Sequence, residues 1–239
     1  MEVKDKILDI IYKKILTNKN YNFLIIDGIT CSGKTTFSKS LSKFFIKKKL
    51  KTVIISKDLF LKSRQHRIRL IKRNINKNYK KNLDQNNNHY NLKKYNFLIK
   101  FLISKKVKKK IILKKLYNRK TGLNNKTLIV NHNINNFYIL EGIYIMNDLK
   151  KVLQPFLKIF VFNDIYFSLA KKIQRIRDNK INLEDVIYEF KEIHLKSYVR
   201  YLKNLNEFDF YLDLKNNNLK KSFKIKTELR KLKKFLEIH

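Results

Sequence analysis

Nine consecutive residues carry the plainest chemistry in this chain: Gly28, Ile29, Thr30, Cys31, Ser32, Gly33, Lys34, Thr35 and Thr36. Gly28 to Thr35 matches G-x-x-x-x-G-K-[ST], a loop whose backbone N–H groups wrap the phosphates of a nucleotide. Glycines permit the backbone conformations that such a loop needs. Lys34 has the reach for the β- and γ-phosphates, and the Thr35 hydroxyl suits Mg²⁺. A helix starting at the loop would add its positive end to the phosphate field. The ligands expected from this loop are ATP and Mg²⁺. Cys31 reads as a small side chain tolerated within it.

Phosphoryl transfer also needs a base, a metal-organising acid and cations. Asp58 follows the apolar run TVIIS, where a carboxylate can take the proton of an attacking hydroxyl. Glu141 closes the run FYILE and suits the Mg²⁺ shell, usually through water. Arg175 and Arg177 lie in LAKKIQRIRDNK. Arginine forks bind phosphate through paired hydrogen bonds. Residues two apart on a helix do not share a face, so one of the two would point inward. Arg64 and Arg67 in KSRQHRI and Arg119 in LYNRKTG are candidate acceptor contacts. The five histidines show no metal-ligand spacing, so Mg²⁺ is the one metal expected.

These residues sit at the ends of predictable elements. Val3 to Leu16 has apolar residues at helical spacing, giving an amphipathic helix over about 3–17. Asn22–Gly28 reads as a buried strand, Gly33–Lys48 as a helix and Thr52–Ser56 as a second strand, which together make a βαβ unit. Leu61 to Asn91 is rich in Asn and Lys and reads as an irregular excursion. Asn91–Ser104 follows as a helix. Lys110–Tyr117 and Lys126–Val130 flank NRKTGLNN as a hairpin or flap. Further strands are expected at Phe137–Leu140, Lys158–Phe162 and Phe208–Leu212. Helices are expected at Ile165–Arg177, at Leu183–Leu205 and, to close the chain, at about 219–238. No Pro/Gly/Ser linker divides the sequence, so residues 1–239 read as a single α/β domain.

The formal net charge is +37, from 56 Lys and Arg against 19 Asp and Glu. Such a charge invites a nucleic-acid reading. The abundance of Lys, Asn and Ile, with 4 Gly and 1 Pro, is equally what A/T-rich codons produce. With the excess read as spread along the chain, no specific nucleic-acid partner is expected, only weak and salt-dependent sticking to polyanions. The single cysteine excludes an internal disulfide and suits a reducing cytoplasm. MEVKDKILDIIYKKIL is no signal peptide, and no apolar run reaches membrane-spanning length.

In this order the motifs resemble the uridine kinase and phosphoribulokinase family of P-loop kinases, over roughly Asn22 to Leu214. GITCSGKTTFSKSL resembles the family's P-loop. TVIISKDLF places Asp58 where the family has its catalytic aspartate. FYILEGIYIM resembles the strand ending in Glu-Gly, at Glu141 and Gly142. LKIFVFNDIYFSLAKKIQRIRD resembles the strand and arginine-rich lid helix, with Lys172 and Arg175 at the matching lid positions. Tyr117 matches a flap tyrosine that lines the nucleoside pocket. The resemblance implies a P-loop NTPase three-layer sandwich, with a mainly parallel sheet of about five strands and a lid. It implies ATP-dependent phosphorylation of a small metabolite's hydroxyl, with uridine or cytidine as leading acceptors. Asp58, Arg64, Tyr117 and Arg119 would then meet the acceptor. A vitamin, sugar phosphate or glycerate kinase and a nucleic-acid-associated P-loop ATPase are the alternatives. A homo-oligomer is compatible with all of these.

Overall fold

In this computed structural model the residues described are 3–18, 22–75, 89–104, 109–149, 156–176, 190–195 and 208–222, with single positions at 183, 184, 187, 199, 227, 230 and 234. In chain order the main elements are α1 (Asp5–Thr17), β1 (Phe23–Gly28), α2 (Lys34–Lys47), β2 (Thr52–Ser56), a 3-10 turn (Lys57–Phe60), α3 (Arg64–Ile75), α4 (Leu92–Ile103), β3 (Lys109–Leu116), β4 (Lys126–His132), β5 (Phe137–Glu141), α5 (Ile145–Leu149), β6 (Phe156–Phe162), α6 (Ile165–Ile176), β7 (Phe210–Asp213) and β8 (Asn218–Lys220). Contacts group Met1–Ile55 with Phe137–His239 in one compact unit and Ser56–Asn136 in a second.

The first unit is built on a strand buried along its whole length. All six residues of β1 are buried, which requires strand neighbours on both edges and cover on both faces. β5 and β6 supply the edges, both parallel, with Ile26 opposite Glu141 and Gly28 opposite Val161. The sheet order is β2-β5-β1-β6-β7-β8, mostly parallel with flanking helices. Leu24 and Ile26 pack with Ile7, Ile11, Phe37, Leu41 and Phe45 of α1 and α2 in one core. Val3 and Ile15 join it, so α1 docks by the stripe its spacing predicts. Ile25 and Asp27 point to the other face, where α5 follows the end of β5.

The sheet has six strands where the sequence suggests about five. The extra one, β8, runs antiparallel to β7 and pairs Leu212 with Leu219. This corrects the start of the closing helix: Leu219 and Lys220 are strand residues, because the turn at Asp213 folds the chain back onto the open edge of β7. Asn216 donates to both Asp213 carboxylate oxygens and holds that turn. Thr227, Arg230 and Lys234 are helical, and the rest of 223–239 lies outside the described residues. Of the helix expected over Leu183–Leu205, the described positions are 183, 184, 187, 190–195 and 199.

The second unit pins the 3-10 turn. Phe60 is buried against Tyr95 of α4, ring centroids 5.2 Å apart. The carbonyls of Leu59, Phe60 and Leu61 accept from Tyr117 N, Asn91 N and Asn124 Nδ2 at 2.7–2.8 Å. The excursion expected from Leu61 is corrected in part, since α3 occupies Arg64–Ile75. This helix is polar in its first turn, Arg64 to Arg67. It is held at its start, where Arg64 N donates to Gly122 O at 2.8 Å and Ser63 Oγ caps His66 N. Residues 76–88 lie outside the described set. Among the described residues no helix is long and apolar enough to cross a membrane.

The two units differ in charge, which corrects the reading of a spread excess. Residues 56–136 hold 23 Lys and Arg against two acids, Asp58 and Asp84, for a net +21. The other 158 residues hold 33 against 17, for +16.

Phe45 is fully buried between Tyr12 and Phe137, with ring centroids at 5.8 and 5.6 Å. Phe45→Ala should cost about 3–5 kcal/mol, read as a lower urea midpoint at unchanged slope. A loss below about 1 kcal/mol would show that α1 and α2 do not pack on β5 as described.

Candidate active site

The phosphate loop leaves β1 at Gly28. A Cβ there would fall 2.1 Å from the Val161 carbonyl oxygen, so only glycine lets β1 and β6 close at this point. Gly33, at φ 95°, starts α2 in a conformation that an L side chain resists. Cys31 also has positive φ, 58°. No side chain caps α2, and its first turn holds no acid, so its N–H groups and positive end face the loop. Lys34 is buried, and its ammonium donates to Ile29 O and lies 3.5 Å from the Ser32 hydroxyl. Gly28 to Thr36 thus run from the end of β1 into the first turn of α2.

Glu141, at the end of β5, is 3 % exposed. Thr35 Oγ1 donates to its Oε2 at 3.2 Å, across 106 residues of sequence. Adjacent oxygens on octahedral Mg²⁺, with bonds near 2.1 Å, lie about 3.0 Å apart. The pair thus fits neighbouring positions around one cation. Among the described residues there is no cluster of three His, Cys, Asp or Glu side chains. A cation here takes its other ligands from phosphates and water, as Mg²⁺ commonly does.

One residue of this unit escapes the sequence reading. Asp27 is fully buried, and its carboxylate accepts from Gly28 N at 2.8 Å, Tyr144 N at 2.9 Å and Met146 N at 3.2 Å. It ties the first glycine of the phosphate loop to the turn just after Glu141. A carboxylate inside an otherwise apolar strand, FLIIDG, is the signal that could have found it. Tyr144, at φ 56°, is held in its left-handed conformation by that bond.

On α6, Lys172 is buried. Arg175 lies in the last turn of the same helix, with its side chain outside the description, and Arg177 lies outside the described residues.

In the second unit Asp58 lies in the pinned 3-10 turn, partly exposed. Its carboxylate has no hydrogen-bond or ion-pair partner among the described residues, which leaves both oxygens for an acceptor. Tyr117 is buried and bonded through its N–H to Leu59 O, next to Asp58. A bulge between Leu113 and Leu116, with Lys115 at φ 56°, turns Leu116 and Tyr117 inward together. Arg64 Nη2 donates to Arg119 O at 3.3 Å. Arg64, Tyr117 and Arg119 thus share one corner of the unit with the Asp58 turn. Lys57, which the sequence does not single out, is buried with its ammonium 4.7 Å from the Tyr90 ring centroid.

Residues 24–207 match the model of the phosphoribulokinase/uridine kinase family. No curated protein matches the chain in sequence. Among solved structures it is similar to a possible uridine kinase from Bacillus stearothermophilus, at 16% identity and TM-score 0.59, over 85% of this chain and 96% of that one. It is also similar to phosphoribulokinase from Rhodobacter spheroides, at 16% identity and TM-score 0.57, over 82% and 71%. At such identity the likeness speaks for the fold.

Asp27→Asn replaces one acceptor oxygen with an amide that must face a backbone donor. It should cost about 1–3 kcal/mol in thermal unfolding and weaken Mg²⁺-dependent nucleotide binding more than metal-free binding. Equal weakening with and without Mg²⁺ would count against Asp27 as the residue that positions Glu141.

Proposed function

The chain belongs to the phosphoribulokinase/uridine kinase family, and we propose that it transfers the γ-phosphoryl group of ATP to a hydroxyl of a small metabolite. The observation that carries this reading is the contact between Thr35 and Glu141, which joins the phosphate loop to a metal-organising acid. That pair supports binding of Mg²⁺ with the nucleotide, and the family match supports transfer to an acceptor over plain hydrolysis.

In this reading the amides of Gly28 to Thr36 and Lys34 hold the phosphates. Thr35 and Glu141 would hold Mg²⁺, which would supply neutralisation of phosphate charge. Asp58 orients the acceptor hydroxyl and takes its proton as the acceptor oxygen bonds to the γ-phosphorus. The bond from that phosphorus to the β–γ bridging oxygen breaks, and ADP leaves. Arg175, with Arg177 as the alternative, supplies positive charge over the moving group. Arg64, Tyr117 and Arg119 line the acceptor's place. The resemblance points to a nucleoside such as uridine or cytidine as acceptor. Use of ATP and a sequence with a single cysteine suit a cytoplasmic enzyme.

The test is ATP turnover against a panel of nucleosides, vitamins, sugars, sugar phosphates and glycerate, scored for phosphorylated product. ATP hydrolysis stimulated by RNA or DNA, with no phosphorylated metabolite, would sink the kinase reading. Asp58→Asn should lower kcat by roughly 10²- to 10⁴-fold while ATP affinity stays near wild type. Normal turnover in that variant would remove Asp58 from the chemistry.

A further inference from the structure

The acid-poor second unit holds a guanidinium that protein contacts position but do not neutralise. Arg67 of α3 donates through Nε to Lys62 O at 3.2 Å and through Nη2 to the Tyr117 hydroxyl at 2.9 Å. Its guanidinium carbon sits 5.0 Å from the Tyr117 ring centroid. Tyr117 is itself buried and fixed to the Asp58 turn. The guanidinium is thus clamped in position and orientation by a ring face, a hydroxyl and a carbonyl. Among the described residues no carboxylate pairs with it, nor with Arg64 or Arg119. A guanidinium has five N–H donors, and these bonds leave the whole Nη1 edge unused. The Tyr117 hydroxyl accepts from Arg67, so its own proton is available to a further acceptor.

The charge distribution points the same way. Spread evenly, a third of the 19 acids, about six, would fall in residues 56–136, where there are two. Codon bias acts on the whole chain alike and does not explain a shortage confined to one unit. A partly buried, oriented cation without a counter-ion is costly unless an anion joins it. The fork geometry of arginine suits a planar or tetrahedral oxyanion.

We propose that Arg67 and Tyr117 form a subsite for an oxyanion, phosphate or carboxylate, carried by the acceptor. The inference rests on the kinase reading for the word acceptor, and it moves the substrate class from neutral nucleosides to alcohols that already bear a negative charge. Tyr117 then supports a guanidinium and does not stack on a base.

Binding is tested first without turnover. With the phosphate loop saturated by ADP and Mg²⁺, inorganic phosphate is titrated by calorimetry into wild type, Arg67→Gln and Arg67→Lys. The expected result is a second phosphate site that is roughly 10- to 100-fold weaker in Arg67→Gln and intermediate in Arg67→Lys. ADP affinity in each variant reports that the fold is intact. Absence of that site in wild type, or equal affinity in all three proteins, overturns the proposal. Turnover then separates the sources of the anion. Ribose 5-phosphate and glycerate are compared with ribose, glycerol and uridine. The charged member of a pair should exceed its neutral partner by about tenfold or more in kcat/KM, and Arg67→Gln should raise the KM for acceptor but not for ATP. Uridine as the best substrate with no effect of Arg67→Gln would overturn the subsite while leaving the kinase. Arg67-sensitive phosphate binding with no product from any alcohol would do the reverse. Binding of a single-stranded RNA that steepens with falling salt and ignores Arg67 would assign the charge to a polyanion surface instead.

Discussion

The first unit depends on a carboxylate that has been taken out of water. Asp27 lies next to the end of a strand buried along its whole length, and without partners its charge would be costly there. Three backbone N–H groups satisfy it: one on the phosphate loop and two on the turn behind Glu141. The strands on either side already fix register, with Ile26 opposite Glu141. Asp27 adds bonds that tie the loops beyond the strand ends, alongside the bond from Gly142 N to Ile26 O. The 3.2 Å contact between Thr35 and Glu141 is a consequence of both. A sheet positions the ends of its strands, and the chemistry in an open α/β fold lies just past those ends.

The second unit meets a similar need by other means. A 3-10 turn has poor hydrogen bonding of its own and is held by its surroundings. Here the carbonyls just after Asp58 are taken by three distant donors, and Phe60 is buried against Tyr95. For the base role proposed for Asp58, a rigid mount would supply the orientation on which such a carboxylate depends. The bulge at Lys115 belongs to the same device, because it brings Leu116, which the alternation of Ile111 and Leu113 would leave exposed, to the buried side next to Tyr117.

Composition acted as a disguise. An A/T-rich coding bias raises Lys and Asn everywhere, and against that background the eye reads +37 as uniform. What distinguishes the second unit is chiefly its missing acids, with only two of 19. An excess of one charge type says less about partners than the absence of the other from a place where cations are held in fixed orientation.

Local sequence determined the parts whose physics is local. Apolar runs marked β1, β2 and β5, the first ending in glycine and the last in an acid, and the glycine and lysine spacing marked the phosphate loop, because strand burial and loop curvature leave direct traces in residue type. The arginines after Asp58 and the flap tyrosine were also visible as candidates. Three features were decided only by the tertiary structure. β8 exists because β7 offers an open edge, and an edge is a property of the sheet and not of residues 218–220. The start of α3 is fixed by Gly122, far along the chain, which accepts from the Arg64 N–H. Asp27 was legible only as an oddity, a charge in a buried strand, until Tyr144 and Met146 arrived from more than a hundred residues away to satisfy it. The nine loop residues themselves declared a nucleotide. Their pairing with Glu141 needed the sheet, because hydrogen bonds between distant segments follow from topology, which no single stretch of sequence contains.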